Sequence, residues 1–343
     1  MSDMAGQRPG AGEVGASLVA RVFLHLSDGR FHSGEDLANT LGVSRSAVWK
    51  AARTLRSLGV TLHAVRNRGY RLARPVEPLD ASRIRAALPD DVNRRLRRLD
   101  VAWAVQSTNT MLFDRPNPAV GTSEALLAEF QSAGRGRRGR SWLAPPGGAI
   151  CLSMSWTFPD MPRDLGALGL AIGVCVRRAL AAHGVTDLRL KWPNDLLLGD
   201  RKLGGILIEL RAESSGPACV VIGIGLNLSL GTQLLQQLEQ MGVAATDLAS
   251  AGVGELSRNA LAAELIACCV EGLLEFERGG LGPFVEEWRD ADALLGRPIA
   301  VHCPDEVTRG IARGIDLTGA LLVETPQGLK KFISGEVTVR PTP

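Results

Sequence analysis

Hydrophobic and polar positions follow three different patterns along the chain, and each pattern occupies its own segment. Over residues 17–74, apolar residues recur at helical spacing in three runs, and two short extended runs follow, which predicts a three-helix unit with a hairpin. Over residues 99–292, apolar strands joined by tight turns accompany long apolar helices, which predicts a mixed α/β-sheet domain. Over residues 293–343, short strands are separated by glycine-containing turns, which predicts a small β-barrel. The predicted fold class is therefore α+β.

Three segments lie outside these patterns. Residues 1–16 are rich in glycine and alanine and lack the continuous apolar core of a secretion signal, so we expect a disordered tail. Residues 75–98 contain three prolines and a run of arginines, and we expect a linker with one short helix from Leu79 to Leu88. Residues 229–250 are polar, and we expect an irregular segment with at most a turn of helix.

The N-terminal unit has the signals of a DNA-binding fold. Ser33 and Ser44 are placed to cap its second and third helices, and Gly42 provides the sharp turn between them. A capped basic helix followed by a basic hairpin is typical of a winged helix-turn-helix, in which the helix start reaches base edges and the basic side chains reach phosphates. The alternative is a basic face that is only solvated. The residues expected to contact DNA are Ser44, Arg45, Ser46, Lys50, Arg53, Arg66 and Arg68.

A second concentration of charge lies between Gly134 and Arg140, where three glycines and four arginines are interspersed before Trp142. Glycine lets a ligand approach the main chain closely. Arginine presents a planar, permanently charged fork that matches phosphate or carboxylate. Flanking apolar segments are expected strands that anchor this arginine loop. Two interpretations are open at this point: a lid over an anionic small molecule, or a solvated contact with nucleic acid.

Composition narrows the class of protein without identifying it. The net charge of +3 is too small for a strong overall field, so any surface for a polyanion has to be local. The six cysteines form no C-x-x-C pair and no metal-ligand spacing, which indicates buried free thiols in a reducing cytoplasm. No uninterrupted apolar run has the length of a membrane span, so we expect no membrane association. The sequence has no P-loop motif, which argues against a P-loop kinase or ATPase.

Five stretches resemble the family of bifunctional biotin–protein ligases that also repress the biotin operon. Their order and spacing fit that family, and the similarity extends over the chain beyond residue 16. The departures are minor, namely Ser141 in the arginine loop and Gly205 after Lys202. The stretches are Ser107-Thr108-Asn109, Gln131 with the arginine loop, Lys191-Trp192-Pro193-Asn194-Asp195, Arg201-Lys202-Leu203-Gly204-Gly205-Ile206-Leu207, and Gly223-Ile224-Gly225-Leu226-Asn227.

This resemblance implies three domains and a two-step reaction. The domains are the winged helix-turn-helix, a central ligase domain and a C-terminal SH3-like barrel. The ligase activates biotin with ATP and Mg²⁺ to biotinyl-5′-AMP. It then transfers biotin to a lysine of a biotin carboxyl carrier protein of acetyl-CoA carboxylase or a related carboxylase. Operator DNA is the second expected partner, bound by a homodimer that biotinyl-AMP promotes in the cytoplasm.

The resemblance also assigns roles to individual residues. Lys202, Arg137 and Asp195 are the expected catalytic residues, and Asp195 is expected either to hold magnesium or to orient the incoming lysine. Trp142 offers a flat face to adenine, with a simple core anchor as the alternative. The residues implied for biotin are Ser107, Thr108, Asn109, Gln131, Arg135, Gly136, Arg137 and Lys202. Those implied for ATP and the adenylate are Arg137, Arg140, Trp142, Asn194 and Asn227.

Two other functions stay open on the sequence. A lipoate–protein ligase shares the catalytic architecture, but the polar pair Ser107 and Gln131 favours the ureido ring of biotin. A DNA-binding regulator with a non-catalytic biotin-sensing domain is the other alternative. Lys202 argues against it, because a pure sensor does not need a lysine that stabilises a transition-state anion.

Overall fold

The computed structural model describes residues 17–212, 216–254, 256–303, 306–333 and 338–341, and the predicted tail over residues 1–16 lies outside the described part. The chain divides into two compact units, with the boundary between Val76 and Glu77. The first unit holds the predicted winged helix. The second unit holds the mixed sheet together with the C-terminal strands.

The N-terminal unit contains three helices and a hairpin: α1 (Leu18–Leu26), α2 (Gly34–Leu41), α3 (Arg45–Ser57), β1 (Leu62–Val65) and β2 (Gly69–Leu72). The predicted caps are formed, because Ser33 Oγ accepts from Asp36 N at 3.0 Å and Ser44 Oγ accepts from Ala47 N at 3.2 Å. Gly42 ends α2 with a φ of 66°, which a residue with a side chain adopts only at a cost. The helix-turn-helix geometry therefore follows from local signals.

The linker predicted over residues 75–98 is different in the structure. Two helices occupy it, α4 (Ala81–Ala86) and α5 (Asp90–Arg95), and the first strand of the large sheet begins at Leu96 rather than Leu99. Ile84, Leu88 and Val92 are buried in the core of the second unit. Their spacing of four residues places them on one helical side, but a proline between the helices breaks the pattern and conceals it in the sequence. The segment is thus part of the ligase unit.

The second unit is built on a seven-stranded sheet with the order β3-β4-β7-β11-β10-β9-β8. The pair β3–β4 is parallel, and every other pair is antiparallel. The elements through this region are β3 (Leu96–Val105), α6 (Thr108–Phe113), β4 (Ser123–Gln131), β5 (Gly134–Arg135), β6 (Ser141–Trp142), β7 (Ala149–Phe158), α7 (Leu168–Ala182), β8 (Leu188–Lys191), β9 (Asp195–Leu198), β10 (Arg201–Ala212), β11 (Ala218–Asn227), α8 (Thr232–Gln240), α9 (Arg258–Gly279) and α10 (Val285–Ala291).

Helices α7 and α9 contact each other and supply the core beneath the sheet. By length and composition alone, residues Leu165–Ala182 could cross a membrane, but most of that helix is buried inside the unit, so it is a core helix. Helix α8 lies in the segment expected to be irregular. None of its residues is buried, but Leu234, Leu235 and Leu238 recur at helical spacing, a signal that the polar composition of the segment concealed.

The C-terminal strands are β12 (Pro298–His302), β13 (Val307–Ile315), β14 (Leu321–Thr325), β15 (Gly328–Phe332) and β16 (Thr338–Pro341). They form an antiparallel sheet with the order β15-β14-β13-β12-β16. The strand assignment and the α+β class are confirmed. In the described part of the chain β15 and β16 do not pair, so closure into an SH3-like barrel stays a prediction. Trp192 joins this sheet to the ligase sheet, because its Nε1 donates to Gly319 O at 3.1 Å.

Candidate active site

A cavity of about 1010 Å³ lies over one face of the large sheet, and every residue expected to bind biotin, ATP or the adenylate is on its wall. These residues come from elements that are far apart in the chain: the start of α6, the end of β4, the hairpin β5–β6, the turn before β9, the start of β10 and the end of β11. They are Ser107, Thr108, Asn109, Gln131, Arg135, Gly136, Arg137, Arg140, Trp142, Asn194, Asp195, Lys202 and Asn227.

The polar end of the cavity is formed where α6 begins. Ser107 is the N-cap of α6 and accepts from Thr110 N. Gln131 Oε1 accepts from Thr108 N at 2.8 Å and from Thr108 Oγ1 at 3.1 Å. Because these bonds occupy the carbonyl oxygen, they fix the orientation of the Gln131 amide and leave its nitrogen as the group that can donate to a ligand.

Ser153 supports this end of the cavity and was not recognised in the sequence. It is fully buried on β7, and its Oγ lies 2.7 Å from Thr108 Oγ1 and 2.5 Å from Asn109 Oδ1. A buried hydroxyl needs such partners because leaving it unsatisfied costs stability. The sequence signal for a buried polar group was a serine within an apolar run, between Leu152 and Met154.

The arginine loop is a compact hairpin. Gly134 pairs with Trp142 and Arg135 with Ser141, and Arg138 has a φ of 57° at the tip. The Arg135 side chain forms an ion pair with Glu209 on β10 and donates to Thr110 Oγ1 at 3.0 Å. Glu209, which the sequence analysis did not single out, also accepts from Asn109 Nδ2 at 3.0 Å. It therefore joins the loop to the start of α6.

The cationic end of the cavity contains Lys202 and Arg137. Lys202 Nζ donates to Asp195 Oδ1 across the β9–β10 hairpin. Arg137 Nη1 donates to Asn194 Oδ1 at 3.4 Å. Burial lowers the pKa of Arg137, while the nearby Asp195 carboxylate acts in the opposite direction. Asn194 also donates from Nδ2 to Ile206 O at 2.8 Å. This bond holds the turn between β8 and β9 against β10.

Trp142 and Asn227 line the far side of the cavity. A Cβ on Gly225 would lie 2.6 Å from the Trp142 ring, and a Cβ on Gly223 would lie 2.3 Å from Asn109 Oδ1. Each glycine thus makes room for a side chain of the cavity wall. Asn227 Nδ2 donates to Thr246 O at 2.9 Å. Its Oδ1 is buried without a hydrogen-bond partner among the described residues, which leaves an acceptor for a ligand N–H.

The residues present fit magnesium only together with a nucleotide. The described residues contain no group of three or more His, Cys, Asp or Glu that could hold a metal ion. Asp195 supplies one carboxylate at the cavity. Because Mg²⁺ in nucleotide sites commonly takes one or two carboxylates plus phosphate oxygens and water, Asp195 could hold it with a bound triphosphate.

The residues expected to contact DNA are all exposed on the N-terminal unit. Ser44 Oγ caps α3 by accepting a hydrogen bond from Ala47 N, and it lies 2.9 Å from Ser46 Oγ. In the hairpin that forms the wing, Arg68 lies over the Phe31 ring at 4.3 Å. This cation–π contact holds the wing hairpin against the segment between α1 and α2. The contacts with DNA themselves stay predictions.

A sheet that carries a cavity with fixed cations at one end, in one chain with a helix-turn-helix unit, is the architecture of an acid-activating ligase joined to a DNA-binding domain. The family models agree. Residues 101–227 match the biotin/lipoate A/B protein ligase family, residues 21–71 match an HTH domain, and residues 294–340 match the biotin protein ligase C-terminal domain.

Relatives and solved structures identify the family. The chain is 40% identical to the bifunctional ligase/repressor BirA of Salmonella typhimurium, over 92% of this chain and 95% of the relative. It is 32% identical to BirA of Bacillus subtilis, over 90% and 93%. The biotin protein ligase of Aquifex aeolicus in complex with biotin and ATP superimposes with a TM-score of 0.61 and 26% identity, covering 72% of this chain and 100% of that one. The chain therefore belongs to the bifunctional biotin ligase/repressor family.

Proposed function

We propose that the protein is a biotin–protein ligase that activates biotin with ATP, transfers it to a lysine of a biotin carboxyl carrier protein, and represses transcription in response to biotin. The observation that carries the ligase is that one cavity wall gathers ureido-type hydrogen-bonding groups from the start of α6 and the end of β4 together with Lys202 of β10 and Arg137 of the arginine loop. Biotin has the matching polarity, with a neutral ureido ring at one end and a carboxylate at the other.

In the first step, a carboxylate oxygen of biotin attacks the α-phosphorus of ATP, the P–O bond to the β-phosphate breaks, and pyrophosphate leaves. Lys202 and Arg137 place fixed positive charge where negative charge accumulates, which lowers the barrier without reorganisation at the moment of reaction. Mg²⁺, when bound, neutralises charge on the triphosphate. Gln131 and Ser107 orient the ureido ring, and Trp142 provides a flat face beside the adenine.

In the second step, a neutral lysine amine of the carrier attacks the acyl carbon of biotinyl-5′-AMP, and AMP leaves. This step needs no protein nucleophile because the acid is already activated. The ligase has to limit hydrolysis until the carrier arrives. The arginine hairpin is suited to that task, because Arg135 and Glu209 hold it over the cavity.

We propose that the repressor acts as a homodimer joined through the open edge of β10. Strand β9 pairs only with residues Arg201–Gly205 of β10, although β10 continues to Ala212. Ile206 N donates to Asn194 O, on the side away from β11. The backbone N–H and C=O groups of successive residues in a strand point to opposite sides, with a period of two residues. The backbone groups of Ile208 and Leu210 therefore face the same open side as those of Ile206. Leu210 is also 44% exposed.

A symmetric dimer would present two copies of α3 and the wing to a palindromic operator. We also place the protein in the cytoplasm, where ATP, the carrier protein and the operator are found. All six cysteines are free thiols, which agrees with a reducing compartment.

The deciding experiment incubates the full-length protein with a biotin carrier domain, ATP and Mg²⁺, and supplies either labelled biotin or labelled lipoate. We expect label on the carrier with biotin and none with lipoate. Labelling from lipoate alone would establish the lipoate–protein ligase instead. Binding of biotin without any transfer would establish a non-catalytic sensor. Analytical ultracentrifugation with biotin and ATP tests the dimer, and Leu210→Lys is expected to abolish it while ligation continues.

A further inference from the structure

Helix α3 carries one large apolar side chain on its otherwise polar outer face. Trp49 is 51% exposed, whereas Val48, Ala51 and Ala52 on the inner face are buried. Exposed tryptophan is unusual because the ring contributes a large apolar area. Trp49 is not among the buried residues of α3, which are Val48, Ala51, Ala52 and Leu55, so it does not belong to the core of the N-terminal unit.

The position of Trp49 places it between α3 and the wing. It lies seven residues before Arg56, which is two helical turns, so the two side chains share one stripe of the helix. Arg56 donates to Leu62 O, at the start of wing strand β1, at 3.2 and 3.3 Å. Trp49 therefore lies on the side of α3 from which Arg56 reaches the wing. Arg53 lies over its ring at 5.6 Å and holds it in place.

The charge around Trp49 selects the partner. The exposed side chains of α3 and the wing tip include five basic residues, namely Arg45, Lys50, Arg53, Arg66 and Arg68, and a basic surface complements a phosphate backbone. An acidic protein could share that charge complementarity, but the helix-turn-helix match over residues 21–71 favours duplex DNA. In the major groove, the apolar group that a base edge offers is the 5-methyl of thymine.

We propose that Trp49 contacts a thymine methyl in each operator half-site and so sets the preference for a T·A pair at that position. The proposal rests on the proposed DNA-binding function. It adds a specificity-determining residue, because the α3 residues expected to contact DNA, namely Arg45, Ser46, Lys50 and Arg53, offer charge and hydrogen bonds, whereas Trp49 offers a large apolar surface.

The test removes the methyl group and nothing else. Full-length protein, with biotin, ATP and Mg²⁺, selects its sites from a library of randomised duplexes, and each thymine of the selected site is then replaced by deoxyuridine. We expect one position per half-site at which this replacement weakens wild-type binding about fourfold, the value for one buried methyl group. The Trp49→Ala variant should bind the thymine and uracil sites equally, and Trp49→Phe should keep part of the difference.

Arg66→Ala is the matched comparison, because Arg66 is an exposed residue of the wing, and loss of a phosphate contact there should weaken all sites alike and leave the thymine-to-uracil ratio unchanged. Circular dichroism and a biotin-transfer assay establish that the variants are folded. If Trp49→Ala shows the same uracil penalty as the wild type, or if the wild type shows none, the proposal is overturned. If the wild type ligates biotin but selects no duplex, the DNA-binding function itself fails, and this proposal fails with it.

Discussion

Lys202 Nζ donates to Asp195 Oδ1 at the wall of the cavity, and the two side chains are only 29% and 23% exposed. The β9–β10 hairpin sets this pairing, because Lys202 lies opposite Leu197 and Gly205 lies opposite Asp195. Asp195 therefore holds the ammonium group at a fixed place before any ligand binds. A preorganised charge stabilises a transition state more effectively than one that must first be ordered.

Lys202→Ala should reduce biotinyl-AMP synthesis by about 10²–10³-fold, the usual effect of removing one such donor, while the protein stays folded. Asp195→Asn should reduce it less, and the double variant should cost less than the two single effects combined, because the residues act as a unit. Pyrophosphate release measures the rate. Lys330→Ala, an exposed lysine of the C-terminal sheet, is the control and should react normally. Normal synthesis by Lys202→Ala would refute the assigned role.

The Arg135–Glu209 pair should determine how long the adenylate survives. Glu209→Gln is expected to raise hydrolysis of preformed biotinyl-AMP about two- to fivefold, because Arg135 is 47% exposed and such pairs are weak and screened by salt. The swap Arg135→Glu with Glu209→Arg should restore part of the protection. High salt should erase the difference between wild type and variant. Glu324→Gln removes a more exposed arginine–glutamate pair in the C-terminal sheet and should leave hydrolysis unchanged.

Two glycines of β11 allow the two ends of the cavity to be tested separately. Gly225→Ala would push against the Trp142 ring and Gly223→Ala against Asn109. We expect the first to raise the KM for ATP about tenfold and the second to raise the KM for biotin, since overpacking costs about 1–3 kcal/mol. Gly166→Ala has no atom within 4 Å of the added Cβ and is the control. Equal effects of both variants on both substrates would contradict this division of the cavity.

The sequence predicts those parts of the structure that depend on residues close together in the chain, such as helix caps and turns. Ser33 and Ser44 cap the helices predicted for them. The thirteen residues implied by the resemblance all lie on one cavity, although their roles stay predictions. Motif spacing identifies such residues because each motif lies where a strand ends or begins, where a helix begins, or in a hairpin loop, and these places line the same cavity.

Partners that are distant in the chain could not be predicted in this way. Glu209 contacts Asn109, 100 residues earlier, and no local pattern distinguishes it from other polar residues on a strand. Ser153 could not be predicted for the same reason, because its partners Thr108 and Asn109 lie more than 40 residues earlier in the chain. The misassigned linker has a related cause, because α4 and α5 pack in part against α9, which comes far later in the chain.

The same long-range contacts predict a stability effect at Glu129 and Arg258. Their ion pair is buried, with 4% and 6% exposure. Glu129 Oε1 also accepts from Leu79 N at 2.7 Å, and Arg258 donates to Glu77 O at 2.8 Å. The pair therefore fastens the start of the second unit to β4 and α9. Arg258→Met should lower the free energy of unfolding by about 3–5 kcal/mol, because a buried carboxylate is left without its partner.

The double variant Glu129→Leu with Arg258→Met separates the cost of an unpaired buried charge from the cost of losing the hydrogen bonds to Leu79 and Glu77. It removes both charges, so the remaining cost should be about 1–3 kcal/mol, the value for leaving the Leu79 N–H and its neighbours without an acceptor. Urea unfolding followed by tryptophan fluorescence measures both variants. A double variant as unstable as Arg258→Met would show that the hydrogen bonds to Glu77 and Leu79, rather than the buried charge, carry the effect. The exposed pair Arg313–Glu324 should contribute less than about 1 kcal/mol in the same assay.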